Sequence, residues 1–148
     1  MRKNFWKNIP LKDLSLEEWE LLCDGCGKCC LNKFQKKKCT PIYTSIACKF
    51  LNIHKCSCEV YSEREKRRKD CLVLSPKNIN KIVNLLPTSC SYRLIHEKKP
   101  LPSWHHLNKP KNKNVHNTNN SVRNFAISEE YVDSSDIANF IFEKSDKN

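Results

Sequence analysis

Four cysteines fall within eight residues, Cys23-Asp24-Gly25-Cys26-Gly27-Lys28-Cys29-Cys30, and they limit what the rest of the chain can become. Two successive C-x2-C steps let the backbone curl so that sulfurs and amides converge on one centre. The chain has two glycines, Gly25 and Gly27, and both lie inside this run. Glycine takes a positive φ without a Cβ clash, and amides freed in such a curl can hydrogen-bond to thiolate sulfur. The motif points strongly to metal and less sharply to which metal.

The chain carries 10 cysteines in 148 residues. Beyond the first cluster come Cys48, Cys56, Cys58, Cys71 and Cys90, which complete the first site or form a second. If Cys56-Ser57-Cys58 is extended, its thiols project from one face at i, i+2. Cys39, among Lys36, Lys37 and Lys38 and before Thr40-Pro41, reads as a free surface thiol.

The meaning of these thiols depends on compartment. The N-terminal residues contain no uninterrupted apolar run of signal-peptide type, and no segment approaches the ~20 apolar residues of a membrane span. The expectation is a soluble cytoplasmic protein with reduced cysteines. Disulfide pairing is the first competitor, disfavoured by that compartment and by close clustering. A catalytic cysteine with His54, His96, His105, His106 or His116 is the second, but ten thiols argue for coordination rather than one activated nucleophile. Cys90 also suits a small buried hydrophobe in an apolar helix. Zinc favours tetrahedral sites of four cysteines, or of three and a histidine, and His105 beside Trp104 is a candidate for that histidine. Iron-sulfur cubanes favour C-x2-C-x2-C with a distant fourth cysteine, a spacing that Cys23, Cys26 and Cys29 match without the usual downstream Cys-Pro.

A formal charge of +11 invites a nucleic-acid reading, since clustered Lys and Arg neutralise phosphates. Yet 21 of the 27 basic residues are Lys, and 16 Asn accompany them, the joint excess that A/T-rich codons produce. Lys33 to Lys38 and Glu63 to Lys69, with its Arg67-Arg68-Lys69, are the basic stretches, and neither offers an obvious stacking platform of aromatics interleaved with the basic residues.

Ser15-Leu16-Glu17-Glu18 is a capping box, with Leu14 placed to staple onto Trp19, so a helix is expected from Leu16 to about Cys23. Residues 32 to 41 read as a Lys-rich loop, and Ile42 to Ala47 as an extended piece. Tyr61 to Lys69 reads as an exposed helix with Glu63/Arg67 and Glu65/Lys69 pairs. An amphipathic helix is expected from Pro76 to Leu86, capped by Ser75 and ended by Pro87, then a third containing Cys90, Tyr92, Arg93 and Leu94. Asn108 to Asn120 reads as a polar loop or linker, Val122 to Ile127 as a strand and Asp136 to Glu143 as a terminal helix.

These residues resemble a family of uncharacterised bacterial proteins built on a CxxCxxCC signature and described as zinc- or iron-chelating. The likeness spans most of the chain. It rests on Glu18-Trp19-Glu20, Leu22-Cys23-Asp24-Gly25-Cys26-Gly27 through Cys29-Cys30, Ala47-Cys48, Leu51-Asn52-Ile53 with Cys56 and Cys58, Tyr61 and Asp70-Cys71. It continues in Leu86-Pro87, Cys90, Tyr92-Arg93-Leu94, Leu101-Pro102, Trp104-His105 and Ser121-Val122-Arg123. The resemblance implies that nine cysteines, all but Cys39, belong to the pattern and that metal chelation is its property; it implies no reaction or partner. The chain departs from it by lacking an aromatic before Leu86-Pro87 and by carrying Lys98 where glycine is usual.

The combined expectation is one small domain over residues 1–148, α-rich and irregular α+β, with short helices and little sheet and with metal stabilising a modest core. Residues 16–107 form its cysteine-rich chelating core, 108–120 a polar loop, and 121–148 a terminal strand and helix. Cys23, Cys26, Cys29 and Cys30, then Cys48, Cys56, Cys58, Cys71 and Cys90, are the expected ligands of zinc or an iron-sulfur cluster. No catalytic motif is present and no membrane partner is expected. The alternative is a basic nucleic-acid-binding adaptor with structural zinc.

Overall fold

The capping box forms as its spacing requires. In a computed structural model, which describes residues 1–35 and 41–141, Ser15 Oγ accepts from the Glu18 amide at 3.2 Å while Glu18 Oε2 accepts from the Ser15 amide at 3.0 Å. Helix α1 (Phe5–Asn8) and helix α2 (Leu16–Glu20) follow one another closely, and α2 ends at Glu20 rather than near Cys23. The cysteine run thus leaves the helix early and travels as loop.

One stretch expected to be a loop proves to be strand, while Ile42 to Ala47 is extended as expected. Strand β1 (Leu31–Phe34) lies in the stretch read as a loop and pairs antiparallel with β2 (Ile42–Ala47), with a register irregularity between Leu31 and Lys33. Strands β3 (Leu51–Asn52) and β4 (Ser57–Cys58) form a two-stranded ribbon. Strand β5 (Ile127–Ser128) adds parallel to β2, giving the sheet order β1-β2-β5. The strand expected over Val122 to Ile127 is instead a 3-10 turn, Val122–Asn124, followed by this two-residue strand.

Remaining helices are shorter than their patterns suggest. A 3-10 turn at Tyr61–Glu63 leads into α3 (Arg64–Arg67), and the ion pairs of this stretch run from Arg68 to Asp70 and Glu129 rather than along the helix. Helix α4 (Ile79–Ile82), continued by a 3-10 turn at Val83–Leu85, starts three residues late. The delay has a local cause: Ser75 and Asn78 exchange side-chain bonds to each other's amides, holding residues 76–78 as a turn. Helix α5 (Ser91–His96) takes Cys90 as its N-cap, so Cys90 stands outside the helix it was expected to join. The terminal helix is a 3-10 segment, Ser134–Phe140. Cys39, Lys36 to Lys38 and the last residues of that expected helix lie outside the described residues.

Two hydrophobic clusters replace a single core. Phe5, Leu11, Leu14, Trp19, Leu22, Ile79, Val83, Leu86 and Tyr92 pack together among the helices. Leu31, Tyr43, Ala47, Leu51, Cys56 and Val122 pack around the sheet. Tyr43 Oη donates to Leu85 O across the two, and within the helical cluster Tyr92 Oη donates to Trp19 O at 2.9 Å. The domain is small, irregular and α+β, with short helices and little sheet. No described helix is long and apolar enough to cross a membrane.

Candidate metal centre

Between the two clusters lies a cavity of about 810 Å³, walled by Trp19 and Tyr92 on the helical side and by Leu31 and Leu51 on the sheet side. Cys23, Cys26, Cys29, Cys30, Cys48, Cys56, Cys58, Cys71 and Cys90 all line it. The structure therefore brings together every cysteine of the expected set, drawn from loop, ribbon and helix cap between Cys23 and Cys90. None of the nine is in a disulfide.

Local backbone chemistry aims the first four. Asp24 Oδ1 accepts from the Cys26 amide at 2.9 Å, closing an Asx turn. Gly25 and Gly27 then take φ of 73° and 75°, the left-handed values that reverse the chain twice. At Gly27 a Cβ would stand 2.8 Å from Val122 Cγ2, so the turn is pressed against the C-terminal segment. The Val122 amide donates to Cys26 O at 2.9 Å, strapping residues 121–128 over the motif. Cys30 O accepts from the Cys48 amide, which ties the motif to the end of β2.

Cys56 departs from the extended geometry that would put it on one face with Cys58. Its φ is 52°, and its thiol donates to Ile53 O at 3.3 Å. Both residues still line the cavity, Cys56 from the turn between β3 and β4 and Cys58 from β4 itself. Cys90 reaches it by capping α5.

Burial dominates the electrostatics. Burial pushes the Cys23 thiol up to about 12, with the nearby Cys29 adding to it, and burial pushes Cys90 up to about 12 in the same way. Cys26 rises because it is buried, then because Asp24 and Cys29 are close. Cys29 is raised most of all by its hydrogen bond with the Cys30 side chain, then by burial. Cys71 rises through burial. Cys23 and Cys29 are exposed at the surface, yet the protein atoms packed around each still raise its thiol. At neutral pH these five are thiols, and a cation that binds them must release their protons.

By element the donors are those of a thiophilic metal, but their spacing is not that of a single ion. Nine cysteines line one space, and beside them Ser91, 2% exposed, lines the same cavity with an Oγ that has no hydrogen-bond partner among the described residues. A hydroxyl left unpaired in protein is costly, and a thiolate or sulfide there would accept its hydrogen bond. Among the described residues, no three His, Cys, Asp or Glu side chains stand close enough together to hold a single ion. The sulfurs line walls rather than converge on a point.

His105 is not placed as a ligand. It is fully buried, its Nδ1 accepts from the Leu107 amide at 3.1 Å, and its Nε2 lies 3.2 Å from Leu22 O. Both nitrogens are thus in use, and burial lowers its proton affinity so that it stays neutral. Sequence reasoning passed over several residues at the rim. Lys33 folds inward, its Nζ 3.3 Å from Cys29 O and over the Tyr43 ring. Arg68 donates to Cys48 Sγ at 3.3 Å and is paired with Glu129, the residue just after the strap. Only the charge run around Arg68 hinted at that contact.

Similar proteins are bacterial. A UPF0260 protein of Gluconobacter oxydans is 44% identical over 126 residues, 84% of this chain and 77% of that protein. Another, of Rhodobacter capsulatus, is 40% identical over 144 residues, 97% of this chain and 96% of that one. A third, of Pectobacterium atrosepticum, is 42% identical over 129 residues, 86% of each. No family model matches the chain, and no solved structure matches it.

Proposed function

The chain belongs to the UPF0260 family of bacterial proteins, and from that premise we propose that it is a metal-chelating protein that binds zinc or an iron-sulfur cluster through clustered cysteine thiolates. One observation carries the reading: nine reduced cysteines from separate elements line a single cavity. Buried thiols scattered as small hydrophobes would sit in both cores; instead Cys56 alone belongs to a core cluster and Cys30 and Cys90 pack at the margins. The CxxCxxCC resemblance agrees with this chemistry.

A centre placed there would join the helical and sheet clusters, supplying cohesion that two small cores lack. Its role is structural, redox or metal-handling, and it operates in the cytoplasm, where thiols stay reduced. The test is metal analysis on full-length protein purified without oxygen, paired with Cys26→Ser. Bound metal and thermal stability should fall together in the variant. If both are unchanged, Cys26 is not a ligand and the reading loses its best residue.

A second reading has one specific observation in its favour. Folding sets basic side chains against aromatic rings: Arg64 lies 3.9 Å from the Tyr61 ring centroid, while Lys49 and Arg67 stand over Phe50 at 5.2 and 5.5 Å. Such a basic and aromatic rim suits single-stranded nucleic acid. Binding to a labelled oligonucleotide that weakens steeply with salt supports it; no binding at low salt removes it.

A further inference from the structure

The polar stretch 108–120 has the composition of a linker but the hydrogen bonding of a fixed wall. Asn114 Oδ1 accepts from the amides of His116 and Asn117, each at 2.9 Å, while Asn117 Oδ1 accepts from the Asn114 amide at 2.8 Å. Asn117 Nδ2 donates to Asn112 O and Thr118 Oγ1 to Asn114 O. Between them the Val115 side chain is buried. Asparagine side chains thus satisfy the backbone groups that a strand or helix partner would otherwise take, and the loop keeps one shape without regular secondary structure.

This wall helps to enclose a second cavity, of about 320 Å³, which shares Asp24 and no other residue with the cavity of the thiols. Its size falls within the range of small-molecule sites, about 300–1,000 Å³. The lining is basic: Lys109, Lys113, His106 and His116 face the single carboxylate of Asp24, with Trp104 beside them. Asp24 Oδ1 is already engaged by the Cys26 amide. Among the described residues neither lysine has a hydrogen-bond or ion-pair partner. His106 Nε2 lies 2.8 Å from Leu21 O and His116 Nδ1 2.9 Å from Ser121 Oγ, so each ring is anchored at one nitrogen and has no partner at the other among the described residues. With Nδ1 accepting from the Ser121 hydroxyl, His116 Nε2 carries the proton and can donate.

Two unpaired ammonium groups against one carboxylate leave surplus positive charge in a concave site, which draws an anion. Ammonium groups suit phosphate, and an indole gives a planar group something to rest on. We propose that this cavity binds a small phosphorylated molecule with a planar carrier group, a ligand of the nucleoside monophosphate kind, with Lys109, Lys113 and His116 taking the phosphate and Trp104 the ring. The site stands apart from the thiols and from the rim of Tyr61, Arg64 and Phe50, so its failure would leave both readings above untouched.

The experiment is calorimetric titration of the full-length protein at low salt with adenosine monophosphate, inorganic phosphate and adenosine in turn. The nucleotide should bind, and phosphate and adenosine alone should each bind at least about tenfold more weakly. Lys109 and Lys113 are exposed, so the Lys109→Ala, Lys113→Ala double variant should keep its thermal midpoint while losing at least about tenfold in affinity for the nucleotide. Lys12→Ala with Lys77→Ala removes the same charge from exposed positions outside the cavity and should leave that affinity unchanged. No binding of the nucleotide overturns the proposal, as does equal loss in the two double variants, which would mean attraction to the basic chain as a whole. Phosphate binding as tightly as the nucleotide overturns the part given to Trp104.

Discussion

At the scale of the residue, the two glycines of the motif separate two effects that usually arrive together. Both have φ near 75°, so any side chain is strained there by about 1 kcal/mol. A Cβ at Gly25 meets nothing within 4 Å, whereas at Gly27 it meets buried Val122 Cγ2 at 2.8 Å. Gly25→Ala should therefore cost about 1 kcal/mol and Gly27→Ala about 3 kcal/mol, since the second adds overpacking to strain. Denaturant titration of both variants checks the difference, and equal losses would mean that the strap does not press on the motif. Glu18 offers a pH test at the same scale. Arg2, bonded to it through Nε at 3.0 Å, holds its carboxyl down to about 2, and the Ser15 cap helps. A depressed carboxylate stabilises the fold fully above its ordinary value of 4.5, and that contribution drains away as pH falls toward 2. The stability gap between the natural chain and Arg2→Ala should be widest at neutral pH and shrink through this window.

At the scale of the element, helix termini decide most of the outcome. Helix α5 closes with a Schellman arrangement: the Lys98 amide donates to Ile95 O at 3.0 Å and the Lys99 amide to Leu94 O at 2.8 Å. Lys98 occupies the left-handed position, φ 57°, where the CxxCxxCC resemblance leads one to expect glycine. Lys98→Gly should raise the free energy of unfolding by about 1 kcal/mol, because relief of Cβ strain outweighs the added freedom of the unfolded chain. A change of the opposite sign in chemical denaturation would show that the lysine side chain contributes contacts of its own. The same termini explain what could be read in advance. The Ser15 box was legible because all its atoms lie within four residues. The start of α4 was not, because Ser75 and Asn78 bond each other in place of continuing the helix. Strand β1 was hidden among lysines, since its partner β2 supplies the reason for extension.

At the scale of the whole molecule, the cavity stands where a single core would otherwise be. Metal that bridges its walls should make stability depend on metal. Treating metal-loaded protein with a strong chelator is expected to lower the midpoint of thermal unfolding, with recovery on reloading; an unchanged midpoint would show that the two cores suffice. Proton release on loading gives a further check, because thiols raised by burial must deprotonate, so apparent affinity should climb with pH through the neutral range. The sequence by itself determined the clustering of thiols at Cys23 to Cys30, the curl at Gly25 and Gly27, the cap at Ser15 and the apolar face of Ile79, Val83 and Leu86, all of them consequences of spacing along a few residues. Only the tertiary structure decided that Cys48, Cys58, Cys71 and Cys90 share one space with the first four, that His105 is spent on Leu22 and Leu107, and that Val122 straps the motif from nearly one hundred residues away. The physical reason is common to all three: they are contacts between segments whose separation in sequence carries no periodic signal, and they are set by which surfaces can be buried together.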